Sequence, residues 1–343
     1  MNTELRYVPK DFKSELEVKW CPGCGDHAVL AAVQKALPEI CEERNYKHER
    51  FTFVSGIGCS SRFPYYMNTF GFHGIHGRAA AIATGVKVAN PKLSVWQISG
   101  DGDSLAIGGN HFIHAVRRNI DINMLLFNNE IYGLTKGQYS PTSKLGKITK
   151  TSPFGTVEHP FTPGELVLGA RGTFFARSID VELDLTKECL KAAARHDGTS
   201  VVEILTNCVI FNDRTFSEVT DRETRADRTI VLEHGKPMIF GKNRDKGLVR
   251  TGYKLMVVTI GEGGVTEEDI LIHNATEPNP GVHMMLVNMK YPMYPVALGV
   301  IRNVPDSTYD DNVRDQVNEI KKQAKICTMD DLLNSGEVWD VTE

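Results

Sequence analysis

Four residues, Gly100-Asp101-Gly102-Asp103, constrain the fold of this chain more than any other feature, because of what flanks them. Before them LSVWQIS (93–99) is apolar and β-branched. After them SLAIGGNHFIHAVRRN (104–119) spaces Leu105, Phe112, Ile113 and Val116 as a helix does, and INMLLF (122–127) is a second short apolar run. The stretch therefore reads strand, helix, strand: a βαβ unit with a buried, mostly parallel sheet flanked by helices, hence an α/β protein.

Ligands of such sheets collect beyond the carboxyl ends of the strands, and both Asp101 and Asn129 fall just past strand ends. Gly100 and Gly102 let the backbone approach a diphosphate. The following helix offers free N–H groups, and Asp101 can bridge the anion to a hard cation. Magnesium takes about six oxygens in an octahedron at ~2.1 Å. Asp101, the Asn129 side chain and the Ile131 carbonyl are the candidate protein ligands, with Asp103 beside them. An Asp-Gly turn and an Asn-rich turn are each common. Two apolar strands, a helix of suitable length, the Asn128–Asn129 pair and Gly133 together argue for more than two turns.

The chain has seven cysteines, at 21, 24, 41, 59, 189, 208 and 327. An odd count, with no secretory leader expected, argues against a disulfide scaffold. Three readings compete for the WCPGCG box at 20–25. A thioredoxin-like pair should cap a buried strand, and the preceding DFKSELEVK is too charged for one. Structural zinc remains open, although its second pair of thiolates usually forms another close CxxC, whereas Cys59 and Cys208 are single and far apart. An iron-sulfur cluster assembled by the tertiary fold is the third reading. Cys41 and Cys189 on helical faces, and Cys327 at a helix-to-loop junction, read as small buried apolar residues.

WCPGCG, SGIGCSSR (55–62), GIHGRA (74–79), GDGDSLAIGGNHFIHAVRRN and NNEIYGLTKGQYSPT (128–142) together resemble the β subunit of 2-oxoacid:ferredoxin oxidoreductases, most closely the branch acting on 2-oxoglutarate. Five separated motifs occur in the family's order across most of the chain. The resemblance implies the diphosphate-binding domain of the thiamine diphosphate-binding fold, with thiamine diphosphate and Mg2+ at Gly100–Asp103, Asn129 and Ile131. It also implies one 4Fe-4S cluster on Cys21, Cys24, Cys59 and Cys208. The implied reaction joins a 2-oxoacid, coenzyme A and oxidised ferredoxin to give acyl-CoA, CO2 and reduced ferredoxin, the cofactor handling the carbanion chemistry and the cluster taking single electrons.

Activation of thiamine by a carboxylate needs a further α/β domain of ordinary size, and this chain has no room for one. The family resemblance therefore implies an α subunit supplying that glutamate, in an α2β2 or αβ complex. The α/β core is expected over residues 1–215, with 216–343 a C-terminal extension that is strand-poor, charged and broken by Pro and Gly; DRTFSEVTDRETRADR (213–228) marks the boundary. No CxxCxxCxxxC run is present, so electrons should leave to an external ferredoxin. A net charge of −4 excludes a strongly basic nucleic-acid binder, and no window approaches the roughly twenty apolar residues of a membrane span. The expected location is the cytoplasm.

A dicarboxylate substrate needs a second cation. Arg62, three residues after Cys59, is the first candidate, and Lys136 on the Gly-flanked loop GLTKGQ is the second. His73 and His76 in FHGIHGR could contact cofactor or substrate, or hydrogen-bond within a turn. His111 and His114 read as a satisfied buried pair rather than a metal site. Residues 2–15 form a polar arm. Residues 25–44 form an amphipathic helix, FTFVSGIG (51–58) a strand leading to Cys59, and RAAAIATGVKVA (78–89) a closely packed helix. Farther on, KLMVVTIG (254–261) and HMMLVNM (283–289) read as strands and 313–325 as a helix; the tail is expected to pack on the partner or cover the site. Pyruvate or another 2-oxoacid could replace 2-oxoglutarate. A thiamine decarboxylase or carboligase subunit with structural zinc, and a non-catalytic structural or redox-sensing subunit, remain as alternatives.

Overall fold

The computed structural model describes residues 6–324, 326 and 328–342. Cys327, Lys325 at the end of the expected helix 313–325, and residues 2–5 of the polar arm lie outside the described residues.

The strands are β1 (Phe51–Ser55), β2 (Phe70–His73), β3 (Ser94–Gly100), β4 (Asn123–Asn128), β5 (Phe174–Ile179), β6 (Ser200–Leu205), β7 (Thr229–Leu232), β8 (Ile239–Phe240), β9 (Lys246–Thr251), β10 (Lys254–Thr259) and β11 (Val296–Asn303). Eight of them form one sheet in the order β2-β1-β3-β4-β6-β5-β11-β7, and β10-β9-β8 form a small antiparallel sheet. Every pairing in the large sheet is parallel except β11 with β5. The chain steps outward from β1 to β2, then returns to β3 on β1's other side, so the strand order reverses between β1 and β3. Such a reversal opens a crevice at the carboxyl edge, where connecting loops diverge.

Both faces of the sheet are covered, which is why the central strands β4 and β6 are buried at every position. Phe53, Leu125, Phe127 and Val202 join one buried cluster. Their neighbours Val54, Leu126 and Val201 join the other, following the two-residue period of a strand. The first cluster is capped by the helices Asp26–Arg44 and Leu183–Arg195, which bring in Val33, Leu37, Ile40 and Leu190 together with buried Cys41 and Cys189. Lys191 and Arg195 on one helix pair with Glu43 on the other, and Arg195 holds the Glu43 carboxyl down to about 2. The second face is covered by the helices Ala79–Ala89 and Gly109–Arg118.

Three expectations change. The helix expected over 104–119 is two, Asp101–Leu105 and Gly109–Arg118. The break lies where Gly77, at φ +66, meets Gly108 so closely that a Cβ on Gly77 would stand 2.5 Å from the Gly108 nitrogen. HMMLVNM is not a strand: Gly281–Val287 is a helix burying His283, Leu286 and Val287, a continuous apolar run whose period is ambiguous. The region after 215 is not strand-poor, because β7 and β11 complete the main sheet and Leu248 and Leu255 of the small sheet pack into its core. The boundary at 215 thus falls between two strands of one sheet. Beyond Asp310 the described residues are largely exposed, including most of the helix Tyr309–Gln323. Among the described residues no helix is long and apolar enough to cross a membrane.

Candidate cofactor site and cysteine cluster

The loops after β1, β3, β4 and β6 carry Cys59, Asp101, Asn129 and Cys208 respectively, so the sheet delivers all four to one edge. A cleft of about 140 Å³ there is lined by Gly100, Asp101, Gly102, Asn129 and Ile131, with His76 and Cys59 on its walls.

Asp101 is 2% exposed, and its carboxylate accepts from the Thr142 hydroxyl at 2.6 Å. Burial pushes its pKa up against the opposing hydrogen bonds of Ser140, Thr142 and the Asn129 and Gly102 backbone. A buried carboxylate beside a cleft whose ionised form is penalised in this way is an environment that a hard cation relieves. The second ligand candidate is shaped by a turn: Asn129 Oδ1 accepts from Ile131 N at 3.2 Å, with Glu130 between them at φ +52. Glu130 accepts from Thr215 at 3.1 Å, and burial lifts its carboxyl to about 7. The residues present therefore fit a magnesium ion carried by a diphosphate.

Asp103 lines the same cleft, yet its carboxylate is engaged by the protein itself. Oδ2 accepts from the Ser99 hydroxyl at 2.6 Å, and Oδ1 accepts from Gly77 N at 2.7 Å and Ile57 N at 3.2 Å. It ties the Cys59 loop and the His76 turn to β3. Gly102 has a further reason to be glycine: a Cβ there would stand 2.2 Å from the Tyr132 ring, whose hydroxyl donates to the Gly102 carbonyl at 3.1 Å. Burial, then Asp101 and Asp103, push the Tyr132 hydroxyl up to about 12.

A larger cavity of about 590 Å³ adjoins the cleft, sharing Ile57, Gly58 and Leu134 with it. Arg62 and His73 line it beside Tyr65 and Lys19. His73 Nδ1 is 2.9 Å from the Ser55 hydroxyl. The structure separates the two loop histidines, His76 lining the cofactor cleft and His73 the neighbouring cavity. Lys136 lines neither: it is exposed at φ +76 in a turn closed by Gly137 N donating to Tyr132 O. His111 and His114 are half-buried on the helix Gly109–Arg118, and His114 Nδ1 has no partner, unlike the satisfied pair expected.

The CxxC turn closes through Cys24 N to Cys21 O at 3.0 Å. The Trp20 indole donates to the Cys59 carbonyl at 2.6 Å, and Gly25 N donates to Asn207 O at 3.0 Å, fastening the turn to the loops of Cys59 and Cys208. A Cβ on Gly133 would lie 3.5 Å from Cys208 Sγ and 3.6 Å from Cys59 Sγ, so both sulfurs flank one point at the rim of the cleft. Cys24 and Cys59 each feel the charge of the other cysteines: Cys24 that of Cys208 and Cys59, Cys59 that of Cys208 and Cys21. Burial, with Asp26 next, pushes Cys59 up to about 11 and raises Cys24 as well. Thiols in this setting keep their protons unless positive charge, such as that of a bound metal, offsets the burial. Among the described residues no three or more His, Cys, Asp or Glu are gathered as the shell of a metal ion.

Sequence reasoning missed Thr142, Tyr132 and a buried ion pair, Arg177–Glu203, at 2.7 Å. The pair's signal was an acid inside the apolar run VVEIL, opposite a base in the run FFARSI.

The family described as thiamine pyrophosphate enzyme, C-terminal TPP binding domain, matches residues 56–204. The chain is 46% identical over 335 residues to the 2-oxoglutarate oxidoreductase subunit KorB of Mycobacterium tuberculosis, covering 97% of this chain and 88% of that one. It is also 46% identical over 202 residues to the β subunit of 2-oxoacid:ferredoxin oxidoreductase 1 of Aeropyrum pernix, covering 59% and 62%. A solved structure of 2-oxoglutarate:ferredoxin oxidoreductase from Magnetococcus marinus, with 2-oxoglutarate, coenzyme A and succinyl-CoA bound, superposes with a TM-score of 0.75 at 29% identity over 97% of each chain. Sheet, cleft and likeness agree: the chain belongs to the family of 2-oxoacid:ferredoxin oxidoreductase β subunits, enzymes built on a thiamine diphosphate-binding fold.

Proposed function

We propose that this chain is the β subunit of a 2-oxoglutarate:ferredoxin oxidoreductase, converting 2-oxoglutarate and coenzyme A to succinyl-CoA and CO2 with electrons delivered to ferredoxin. The observation that carries the reading is one cleft lined both by the buried acid Asp101 and by Cys59, whose sulfur shares the neighbourhood of Gly133 with that of Cys208. The substrate branch is supported by the relatives named for 2-oxoglutarate.

Thiamine diphosphate, when bound, supplies the electron sink for decarboxylation, and a 4Fe-4S cluster takes up electrons singly. Asp101, Asn129 and the Ile131 carbonyl would hold Mg2+, and Gly100 leaves the β3 terminus open to the diphosphate. Cys21, Cys24, Cys59 and Cys208 would ligate the cluster, their thiol protons leaving on metal binding. Arg62 would pair the distal carboxylate of the substrate from the adjoining cavity, with His73 beside it and His76 facing the cofactor.

An α subunit would bring the glutamate that activates the cofactor, in an αβ or α2β2 complex. Support comes from exposed apolar side chains, Ile107 and Leu134 on the cleft, Tyr65 on the adjoining cavity, and Phe70 and Phe72 on β2, which is the edge strand of the sheet. A reducing cytoplasm suits the free thiols. The test is reduction of ferredoxin by the αβ complex with coenzyme A and either 2-oxoglutarate or pyruvate. Wild type should prefer 2-oxoglutarate. Arg62→Ala should raise KM for 2-oxoglutarate at least ~10-fold, with little change for pyruvate, because the lost interaction is a charge-assisted bond to the second carboxylate. Equal effects on both substrates would remove Arg62 from substrate recognition, and a preference for pyruvate would overturn the 2-oxoglutarate reading.

A further inference from the structure

A buried ion pair is a poor way to stabilise a protein, since an apolar pair of similar volume does as well or better. Arg177 and Glu203 are 5% and 2% exposed, and their presence calls for a different reason. Register places Glu203 on β6 opposite both Arg177 on β5 and Leu126 on β4, and Asn128 lies two residues beyond Leu126 on the same face. Glu203 Oε2 accepts from Arg177 Nε at 2.7 Å, while Oε1 accepts from Asn128 Nδ2 at 2.8 Å.

A carboxylate only accepts hydrogen bonds, so this contact fixes which way the Asn128 amide faces. Its Oδ1 is then turned toward Glu130 N, at 3.3 Å, and the Thr142 hydroxyl, at 3.1 Å. The first of these contacts bears on the cofactor side. The Glu130 turn, at φ +52, presents Asn129 and Ile131, and Thr142 reaches Asp101 at 2.6 Å. At the other end Arg177 Nη2 reaches the Val287 carbonyl at 3.4 Å, where the helix Gly281–Val287 ends. Thr142 has one hydroxyl proton, and the shorter contact gives it to Asp101, so the continuous path from Arg177 runs through Glu203 and Asn128 to the Glu130 turn, with Thr142 packed beside it.

We propose that Arg177 and Glu203 are positioning residues for the Mg2+ of thiamine diphosphate: the ion pair orients Asn128, whose Oδ1 holds the Glu130 turn, and that turn presents Asn129 and Ile131. The inference rests on the reading that Asp101, Asn129 and Ile131 bind that metal.

The test uses the αβ complex stripped of Mg2+ and thiamine diphosphate. Binding of thiamine diphosphate is followed by equilibrium dialysis as Mg2+ is raised, alongside the thermal midpoint and the visible absorption of the iron-sulfur protein. Arg177→Met with Glu203→Leu replaces the pair by apolar side chains. This variant should fold, with a midpoint somewhat below wild type because the buried Asn128 amide loses its acceptor, while the Mg2+ needed for half-saturation rises about 10–100-fold, the usual effect of removing a partner behind a metal ligand. Excess Mg2+ should restore binding. Asn128→Ala should show the same loss, and combining all three substitutions should add little, because they break one path.

A folded variant with unchanged Mg2+ dependence would overturn the proposal, as would strictly additive losses. If the apolar pair fails to fold, Asn128→Ala alone decides. Failure of wild type itself to bind thiamine diphosphate in a Mg2+-dependent way would instead remove the underlying reading of Asp101 and Asn129.

Discussion

Asp101 and Asp103 are two residues apart, carry the same side chain and line the same cleft, yet burial and hydrogen bonding divide their work. Asp103 is answered by two backbone N–H groups and a serine hydroxyl, which leaves it as a fastening point. Asp101 is answered by hydroxyl and backbone donors while burial still raises its pKa, which leaves it suited to a cation. The sequence identified both acids but could not separate them, since the partners of Asp103 come from residues 57, 77 and 99. Gly102 was legible as a glycine of necessity, but for an incomplete reason. The atoms nearest its missing side chain belong to Tyr132, 30 residues along the chain from it. Gly102→Ala should therefore displace the Tyr132 ring and lower the unfolding free energy by about 1–3 kcal/mol, as overpacking does. In a Tyr132→Ala background the same change should cost less than about 0.5 kcal/mol, which urea unfolding of both pairs measures. Equal losses in the two backgrounds would show that Tyr132 is not what Gly102 accommodates.

Among the elements, those read correctly carry a clear period or a clear motif: β1, β3 and β4, and the helices Asp26–Arg44 and Ala79–Ala89. The elements missed are those whose identity depends on distant partners. β11 contains Gly299 at φ +90 and a register shift between Val300 and Arg302. It begins at Val296, far along the chain from Ile179, where its antiparallel neighbour β5 ends, so nothing local marks it as a strand of the main sheet. The apolar run 283–289 had no period to separate strand from helix. The segment 234–283 packs against β11 through His273, whose Nε2 lies 2.9 Å from the Val300 carbonyl. Burial, with His283 and His234 adding to it, depresses His273 to about 4. A histidine held neutral in this way contributes stability that is complete above its ordinary pKa near 6.5 and is lost as pH falls toward 4, because the unfolded chain takes up the proton first. Between pH 7.5 and 4.5, wild type should lose on the order of 2 kcal/mol more than His273→Gln. Urea midpoints of the two proteins at each pH give the comparison, and parallel losses would place the pH sensitivity elsewhere.

For the whole molecule, one sheet edge gathers what five separated sequence motifs carry. That edge was legible because strand ends and motifs coincide in the sequence: Cys59, Asp101, Asn129 and Cys208 each follow an apolar run. The relay behind it was legible only in part, because an acid in one apolar run and a base in another name no partner until register brings them together. The exposed tail also belongs to this scale. Leu332, Leu333, Trp339 and Val341 lie uncovered among acidic residues. Deleting residues 326–342 should leave the thermal midpoint of the isolated chain within a few degrees, because those side chains bury little surface, and should weaken assembly with the α subunit. Analytical ultracentrifugation of the mixed subunits reads the second effect; a large fall in the midpoint would mean that the tail belongs to the chain's own core.

The central claim is that electrons from the thiamine site pass to a cluster held by this chain. Its most direct test is the visible absorption of the anaerobic αβ complex, after its iron and sulfide have been measured, on adding 2-oxoglutarate, with pyruvate as the control. The account predicts four irons and four sulfides for each β subunit and bleaching by 2-oxoglutarate but not by pyruvate. Zinc in place of iron, or an iron-sulfur absorption that 2-oxoglutarate leaves unchanged, would contradict it.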